Sequence, residues 1–396
     1  MFARSLSGGG GVERVVLQLA GALAARGHRV DLILARSKGR FLDEIPDSVR
    51  LVELHALPAL AALPTLIRRP ADARALLPAM FAPGVAQVIG AVPGLIKYLN
   101  KQRPDALLGA LDYANIAAIL ASDLSARSIP TIASVHNHLS SAVENANRPH
   151  LRHVIPLARR FYPRAQAVVG VSDGVVQDLL ERLKLPPNLV TTVYNPVVTS
   201  EITELADAPV PHEWLNNEQC PVILGVGKLK RQKDFATLIK AFSRVRKSRK
   251  AKLIILGEGP ERAALQSLAQ TLDVASDVDL CGFDPNPYAY MSRAAVFALS
   301  SAWEGFGNVL VEAMACGCPV VATDCPSGPS EILAQGTFGH LVPVGDFDAM
   351  ASAIVDQLAN KGTHSAARNR AQEFGTDISA ANYEKILFPN SRAKDA

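Results

Sequence analysis

The chain has 396 residues, 48% hydrophobic and only 6% aromatic, which is enough length for two domains and enough aliphatic side chain for two large cores. A formal charge of +4 is too small on that length to imply a nucleic-acid partner, and none is expected. Five cysteines, Cys220, Cys281, Cys316, Cys318 and Cys325, form no paired framework, which suits a reducing compartment; the spacing of the last three is not a zinc pattern. The chain reaches a glycine run at Gly8 and has no run of about eighteen uncharged apolar residues. No secretory leader or spanning helix is therefore expected, and the protein reads as cytoplasmic, with any membrane contact peripheral at the inner face.

Residues 1–5 read as a short first strand, followed by Ser7-Gly8-Gly9-Gly10-Gly11 and a helix over 12–26 that stops at Gly27. A strand, a glycine loop and a helix start can cradle a phosphate, because glycine lets backbone amides approach an anion; the loop also reads as a plain turn. Strands follow at 28–34 and 49–54. Residues 56–99 are apolar segments broken by Pro58, Pro64, Pro70, Pro78, Pro83 and Pro93, with Arg68, Arg69, Arg74 and Lys97 between them, a pattern of short kinked amphipathic helices. These either pack onto the sheet or lie on an anionic membrane with the arginines toward lipid phosphate.

A strand at 105–110 and a helix at 113–123 lead to a strand at 131–135, which delivers His136-Asn137-His138 into a loop. Ligands of doubly wound sheets bind beyond the carboxyl ends of strands, so His136 is placed for chemistry. It also reads as a structural histidine, or with His138 as a metal pair lacking a third ligand. After strands at 167–171 and 190–194, residues 199–219 carry Pro209, Pro211, acids and amides, and read as a linker.

The next strand, 221–226, ends in Gly227-Lys228-Leu229-Lys230-Arg231-Gln232-Lys233 ahead of a helix from Asp234, concentrating charge where an anion or water would sit. The basic run from Arg244 to Lys252 lacks interleaved aromatics and reads as a solvated helix end. Strands at 252–256, 278–281, 296–299 and 339–344 follow, with glycines at 257, 259 and 282 too sparse for a dinucleotide fingerprint. Asp277-Val278-Asp279 and Asp346-Phe347-Asp348 would suit a metal-dependent transferase, but sit at a strand start and a helix start, where capping explains them.

Most informative is the stretch from Ser301 through Glu304-Gly305-Phe306-Gly307-Asn308 into an apolar helix with Glu312, stopped by Gly317 and Pro319 before another strand. On an ideal helix Glu304 and Glu312 would lie about 80° apart and about 12 Å apart along the axis. They cannot share one small group, but can hold two ends of a long ligand whose anionic middle faces the amides of Phe306, Gly307 and Asn308. Taken alone, the pair reads more plainly as a dipole-complementing Glu304 and a solvated Glu312.

Glu304, Gly305, Phe306, Gly307 and Glu312, together with Pro319-Val320-Val321-Ala322-Thr323-Asp324 and the run from Cys325 to Leu333, resemble the acid-x7-acid signature of the retaining glycosyltransferases of family four. The resemblance, extended by further matches over nearly the whole chain, implies the α/β GT-B fold. It comprises two Rossmann-like, doubly wound parallel-sheet domains facing across a cleft, 1–200 for the acceptor and 201–375 for the nucleotide sugar, with 376–396 forming a helix that crosses back and a tail. It implies transfer of a hexose or N-acetylhexosamine from a nucleoside-diphosphate sugar, UDP-linked, to a glycan or lipid-linked acceptor in cell-envelope polysaccharide or glycolipid synthesis, with no metal or other cofactor. His136, Lys233 and Glu304 take catalytic roles in that scheme. Gly10, Gly11, Lys228, Lys233, Gly282, Phe283, Glu304, Phe306, Gly307, Asn308 and Glu312 contact the nucleotide sugar. Lys228 stands where the family usually has arginine, keeping the charge without the fork. The first strand is shorter than the family's, so a clipped edge to the first sheet is expected. Alternatives are a nucleotide-sugar hydrolase or epimerase of the same fold, and a non-catalytic nucleotide-sugar-binding protein.

Overall fold

The computed structural model describes residues 1–7, 11–82, 84–145, 153–216, 220–360 and 365–389. The chain divides into two units, Met1–Pro196 with Thr376–Ala396, and Val197–Gly375. Each is built on one all-parallel sheet, the outcome expected when strands rich in aliphatic residues alternate with helices that bury both sheet faces.

The first sheet contains β1 (Phe2–Ala3), β2 (Val30–Leu34), β3 (Val49–Glu53), β4 (Leu107–Ala110), β5 (Thr131–Val135), β6 (Ala167–Gly170) and β7 (Val190–Thr192). Its order is β3-β2-β1-β4-β5-β6-β7. The short first strand lies inside the sheet, not at its edge: Phe2 pairs with Ile33 of β2 on one side and Gly109 of β4 on the other. Successive strands step outward in one direction through β2 and β3, then in the other from β4, leaving the switch between β1 and β4. Residues 56–102 form the short helices Leu63–Leu66, Pro70–Met80, Val85–Gly90 and Val92–Gln102, with Pro78 inside the second.

The helix Thr376–Leu387 belongs to this unit although the chain reaches it after the other one. Ala380, Tyr383 and Leu387 bury in the same core as Leu19 and Leu23 of the helix Gly11–Ala25. The Tyr383 hydroxyl, fully buried, is satisfied by the Ser134 hydroxyl at 2.9 Å, as burial of a polar group demands. Glu384 pairs with Arg26 at 2.6 Å and His28 at 2.8 Å.

The second sheet contains β8 (Val222–Val226), β9 (Lys252–Leu256), β10 (Val278–Gly282), β11 (Val296–Leu299), β12 (Val320–Thr323) and β13 (His340–Val342), in the order β10-β9-β8-β11-β12-β13. Its switch lies between β8 and β11. Two expectations need correction here. Residues 199–219 are not a bare linker: they carry the helix Ile202–Asp207, whose Leu205 and Ala206 carbonyls accept from Asn286 at 2.8 Å and Ser292 at 2.7 Å. The basic run is not merely solvated either, because Arg244 pairs with Asp348, Arg246 and Lys252 both pair with Asp277, and Lys252 lies over the Trp214 ring. Among the described residues no helix is long and apolar enough to cross a membrane.

The turns leaving β8, β9 and β10 are stitched together. The Gly257 amide donates to the Gly282 carbonyl at 2.6 Å, and Gly227 to the Leu256 carbonyl at 2.9 Å. A Cβ on Gly257 would stand 1.9 Å from the Gly227 carbonyl oxygen, and its φ is +144°. Gly317 also has positive φ, +78°, but nothing lies within 4 Å of its Cβ position. Gly317→Ala should therefore cost about 1 kcal/mol in conformational strain alone, and Gly257→Ala distinctly more. Urea unfolding of the two variants checks this, and equal costs would show that the crowding at Gly257 relaxes freely.

Candidate functional site

Lys233 and Glu304 leave the carboxyl ends of β8 and β11, the two strands that flank the switch in the second sheet, where open α/β sheets place their ligands. The Lys233 ammonium donates to Glu304 Oε1 at 2.5 Å, and the Ser301 hydroxyl donates to the same oxygen at 2.6 Å. Both charged side chains are largely buried. Hydrogen bonds to backbone carbonyls lock the two loops together: the Ala302 N–H donates to the Gln232 carbonyl at 2.8 Å, the Gln232 side-chain amide to the Trp303 carbonyl at 2.9 Å, and the Ser300 hydroxyl to the Lys233 carbonyl at 2.8 Å. Glu304 thus sits in the loop ahead of the helix and does not serve as its cap.

The helix Asn308–Ala315 begins at Gly307, whose φ of +103° sets the turn, and no side chain caps it. Phe306 contributes backbone, not ring: its side chain is buried edge-on against Phe374 at 5.3 Å between centroids. The loop after β12 supports this turn. Ser327 donates to the Glu304 carbonyl at 2.8 Å, and a Cβ on Gly328, φ +92°, would lie 1.8 Å from the Phe306 carbonyl oxygen. Glu312 lies inside the helix and is buried rather than solvated. Burial first, and Glu312 next, push the Cys316 thiol up to about 12. Lys228 is exposed just past β8, while Gly282 ends β10 and Phe283 follows it, 45% exposed.

In the first unit, Gly10 lies outside the described residues, and Gly11 is exposed at the start of its helix. His136 follows β5 and is 7% exposed. Its Nε2 faces the Ser134 hydroxyl at 3.0 Å, and its Nδ1 is buried with no hydrogen-bond partner among the described residues. Burial pushes its pKa down to about 4. An unfolded histidine titrates near 6.5, so the unfolded chain takes up this proton first, and the residue weighs against folding as the pH falls from about 6.5 toward 4.

Sequence reasoning missed Asp112, which leaves β4 two residues past Ala110 just as His136 leaves β5 two residues past the paired Ser134. Burial raises its pKa to about 6, and its Oδ1 has no partner among the described residues. Its contribution to stability has the opposite sign: it is present at acid pH and lost as the pH rises through about 6. An acid directly after a central strand was the available signal.

The acid-x-acid pairs are spoken for. Asp277 is held by Arg246 and Lys252, not used as a cap, and Asp348 by Arg244, while Asp346 caps its helix through Ala349 at 2.8 Å. His212, Asp279 and Cys281 place ligand atoms within 4.8 Å of one another. The His212 Nδ1 accepts from the Trp214 amide at 3.2 Å, which leaves Nε2 protonated to donate to Asp279 at 3.2 Å. Both ring nitrogens are thus used without a metal. The five cysteines are free.

Residues 9–201 match the family model described as Glycosyltransferase Family 4, and residues 210–374 the one described as Glycosyl transferases group 1. The chain is 35% identical over 214 residues to the N-acetylgalactosamine-N,N'-diacetylbacillosaminyl-diphospho-undecaprenol 4-alpha-N-acetylgalactosaminyltransferase of Campylobacter jejuni, covering 54% of this chain and 56% of that protein. It thus spans little more than half of that relative. Its fold is similar to that of sucrose-phosphate synthase from Thermosynechococcus elongatus, with TM-score 0.77 and 21% identity over 99% of this chain and 98% of the other. It is also similar to that of Anabaena HepE in complex with UDP and glucose, with TM-score 0.72 and 20% identity over 98% of each chain.

Removing one partner of a buried ion pair leaves the other charge without compensation. Lys233→Ala should lower stability by about 3 kcal/mol, and adding Glu304→Gln should recover part of the loss. Urea unfolding measures both; a double variant no more stable than Lys233→Ala would show that the two charges do not balance each other.

Proposed function

Because the chain belongs to the family-four glycosyltransferases of the GT-B fold, we propose that it moves a hexose or N-acetylhexosamine from a UDP-linked donor to a glycan or lipid-linked acceptor of the cell envelope, with retention and without a metal. The observation that carries this is the buried Lys233–Glu304 pair at the β8/β11 switch, ahead of an uncapped helix start. In the reaction the donor's anomeric carbon–oxygen bond breaks and its electron pair leaves with the diphosphate. The acceptor hydroxyl oxygen bonds that carbon and passes its proton to the departing diphosphate, whose oxygens gain the negative charge.

Charge therefore grows on the leaving diphosphate. Lys233, Lys228 and the backbone from Phe306 to Asn308 stabilise it through positions set before the donor arrives, each such contact contributing about 3 kcal/mol. Glu304 holds sugar hydroxyls, Glu312 the ribose, and the turn at Gly282 and Phe283 the base. His136 is neutral near pH 7, so it acts as a hydrogen-bonding group and not as a cation. The unpartnered atoms of His136 and Asp112 are suited to sugar or acceptor hydroxyls.

The reading includes peripheral contact with anionic membrane at the inner face. It is supported by Leu57, Leu60, Ile67, Leu77 and Phe81, all exposed, beside the exposed Arg68, Arg69 and Arg74. Asp72, the acid between those arginines, is buried and held by Arg160 and Arg164.

Lys233→Ala, assayed below its own unfolding midpoint, should lose tenfold or more in kcat, and Glu312→Ala should weaken nucleotide-sugar affinity about tenfold. UDP at about 100 times its dissociation constant should add about 2.7 kcal/mol of stability, and GDP less. A chelator should leave turnover unchanged, and donor alone should give little free sugar. Full turnover in Lys233→Ala would overturn the site, rapid donor hydrolysis without acceptor would favour the hydrolase, and no turnover with any donor the binding-protein reading.

A further inference from the structure

Among the described residues of the first unit, two of the cavities differ in charge balance. The larger is lined by Arg69, Arg160 and Arg164 together with Asp72 and Asp123. Two of its three cations are already answered, Arg160 by Asp72 at 2.7 Å and Arg164 by Asp123 at 2.7 Å. The smaller, about 280 Å³, is lined by Arg4, Arg36 and Lys38 with Ser5, Ser7 and Gln87, and no carboxylate. None of these three cations enters an ion pair among the described residues. Glu53, on the adjacent strand, turns instead to the Ser37 amide at 3.0 Å and to His55 at 3.6 Å.

The sheet holds the three cations in place. Arg4 follows β1 and Arg36 and Lys38 follow β2, and the two outgoing strands stay bonded: Arg36 donates to the Arg4 carbonyl at 3.1 Å and Leu6 to the Lys38 carbonyl at 3.0 Å. Arg4 is seated against Gly84, where a Cβ would stand 2.3 Å from its guanidinium nitrogen. Three like charges around one concavity repel each other, and an anion relieves that repulsion. A cavity of about 280 Å³ lined by three cations has room for an anionic headgroup.

We propose that this cavity binds the phosphate or diphosphate group of the acceptor, an assignment that rests on the transfer reading above. Its cations belong to the first unit, whereas Lys228 and Lys233, the cations of the donor's anion site, belong to the second. Phe81, 68% exposed, precedes Gly84 by three residues, so an apolar surface adjoins the cavity in the chain, as a lipid-borne phosphate would require.

The test is calorimetric titration of the full chain, saturated with UDP to fill the donor site, using inorganic pyrophosphate and farnesyl diphosphate as probes. Both should bind, and Arg36→Ser with Lys38→Ser should weaken both at least tenfold without moving UDP affinity or the unfolding midpoint. Arg4→Ser should act in the same direction. The same loss of two charges at Arg249 and Lys250 should change nothing. Farnesyl diphosphate binding more tightly than pyrophosphate supports a lipid-borne group, and equal affinities support a soluble phosphorylated acceptor. Wild-type affinity for both probes in the double variant, or equal weakening by the Arg249 and Lys250 changes, overturns the site. Failure of UDP to bind would remove the transfer reading, while pyrophosphate binding lost only in the double variant would still leave an anion site.

Discussion

A lysine and a glutamate 71 residues apart in the chain meet at 2.5 Å because β8 and β11 are neighbours in the sheet although three strands apart in sequence. The rest of the second unit's site depends on that adjacency. Taking two charges out of water is costly, and the cost is offset only when geometry and further hydrogen bonds satisfy them. Ser301 supplies one such bond, and the hydrogen bonds from the Gln232 and Ser300 side chains and the Ala302 N–H to backbone carbonyls hold the two loops in register. A pair held this way is also a poised site: the ammonium and the carboxylate already point to one place, and a ligand that offers a phosphate to one and hydroxyls to the other can replace part of their mutual attraction.

Loop packing around this pair is close enough to dictate residue type. Backbone of one turn lies where a side chain of the next would begin, at Gly257 against Gly227 and at Gly328 against Phe306. These glycines are not a nucleotide fingerprint. They let carbonyl and amide groups of neighbouring turns approach one another, which satisfies buried backbone and stiffens the surface that carries Lys233, Glu304 and the start of the helix Asn308–Ala315.

The first unit solves a different problem. It buries a histidine that burial holds neutral and an aspartate whose pKa burial raises, each with one atom unanswered among the described residues. Its charge is displaced to the ends of β1 and β2, where Arg4, Arg36 and Lys38 stand without carboxylates. Unanswered buried atoms suit neutral hydroxyls, and a cavity of unpaired cations suits an anion.

Much of this was legible in the chain itself. Alternating apolar runs and helices prescribed parallel sheets, and Glu304 to Glu312 with its flanking glycines carried the family signature, because period and turn chemistry are local properties. The placement of the helix Thr376–Leu387 in the first unit rests on Tyr383 finding Ser134 and a shared core, which no local pattern encodes. Likewise only the sheet order made β1 central, brought Lys233 to Glu304, exposed Asp112 as the partner position of His136, and gathered Arg4 with Arg36 and Lys38. Local sequence determines which elements form; which of their ends become neighbours is decided by how the sheets bury their faces, and chemistry at strand ends belongs to that second decision.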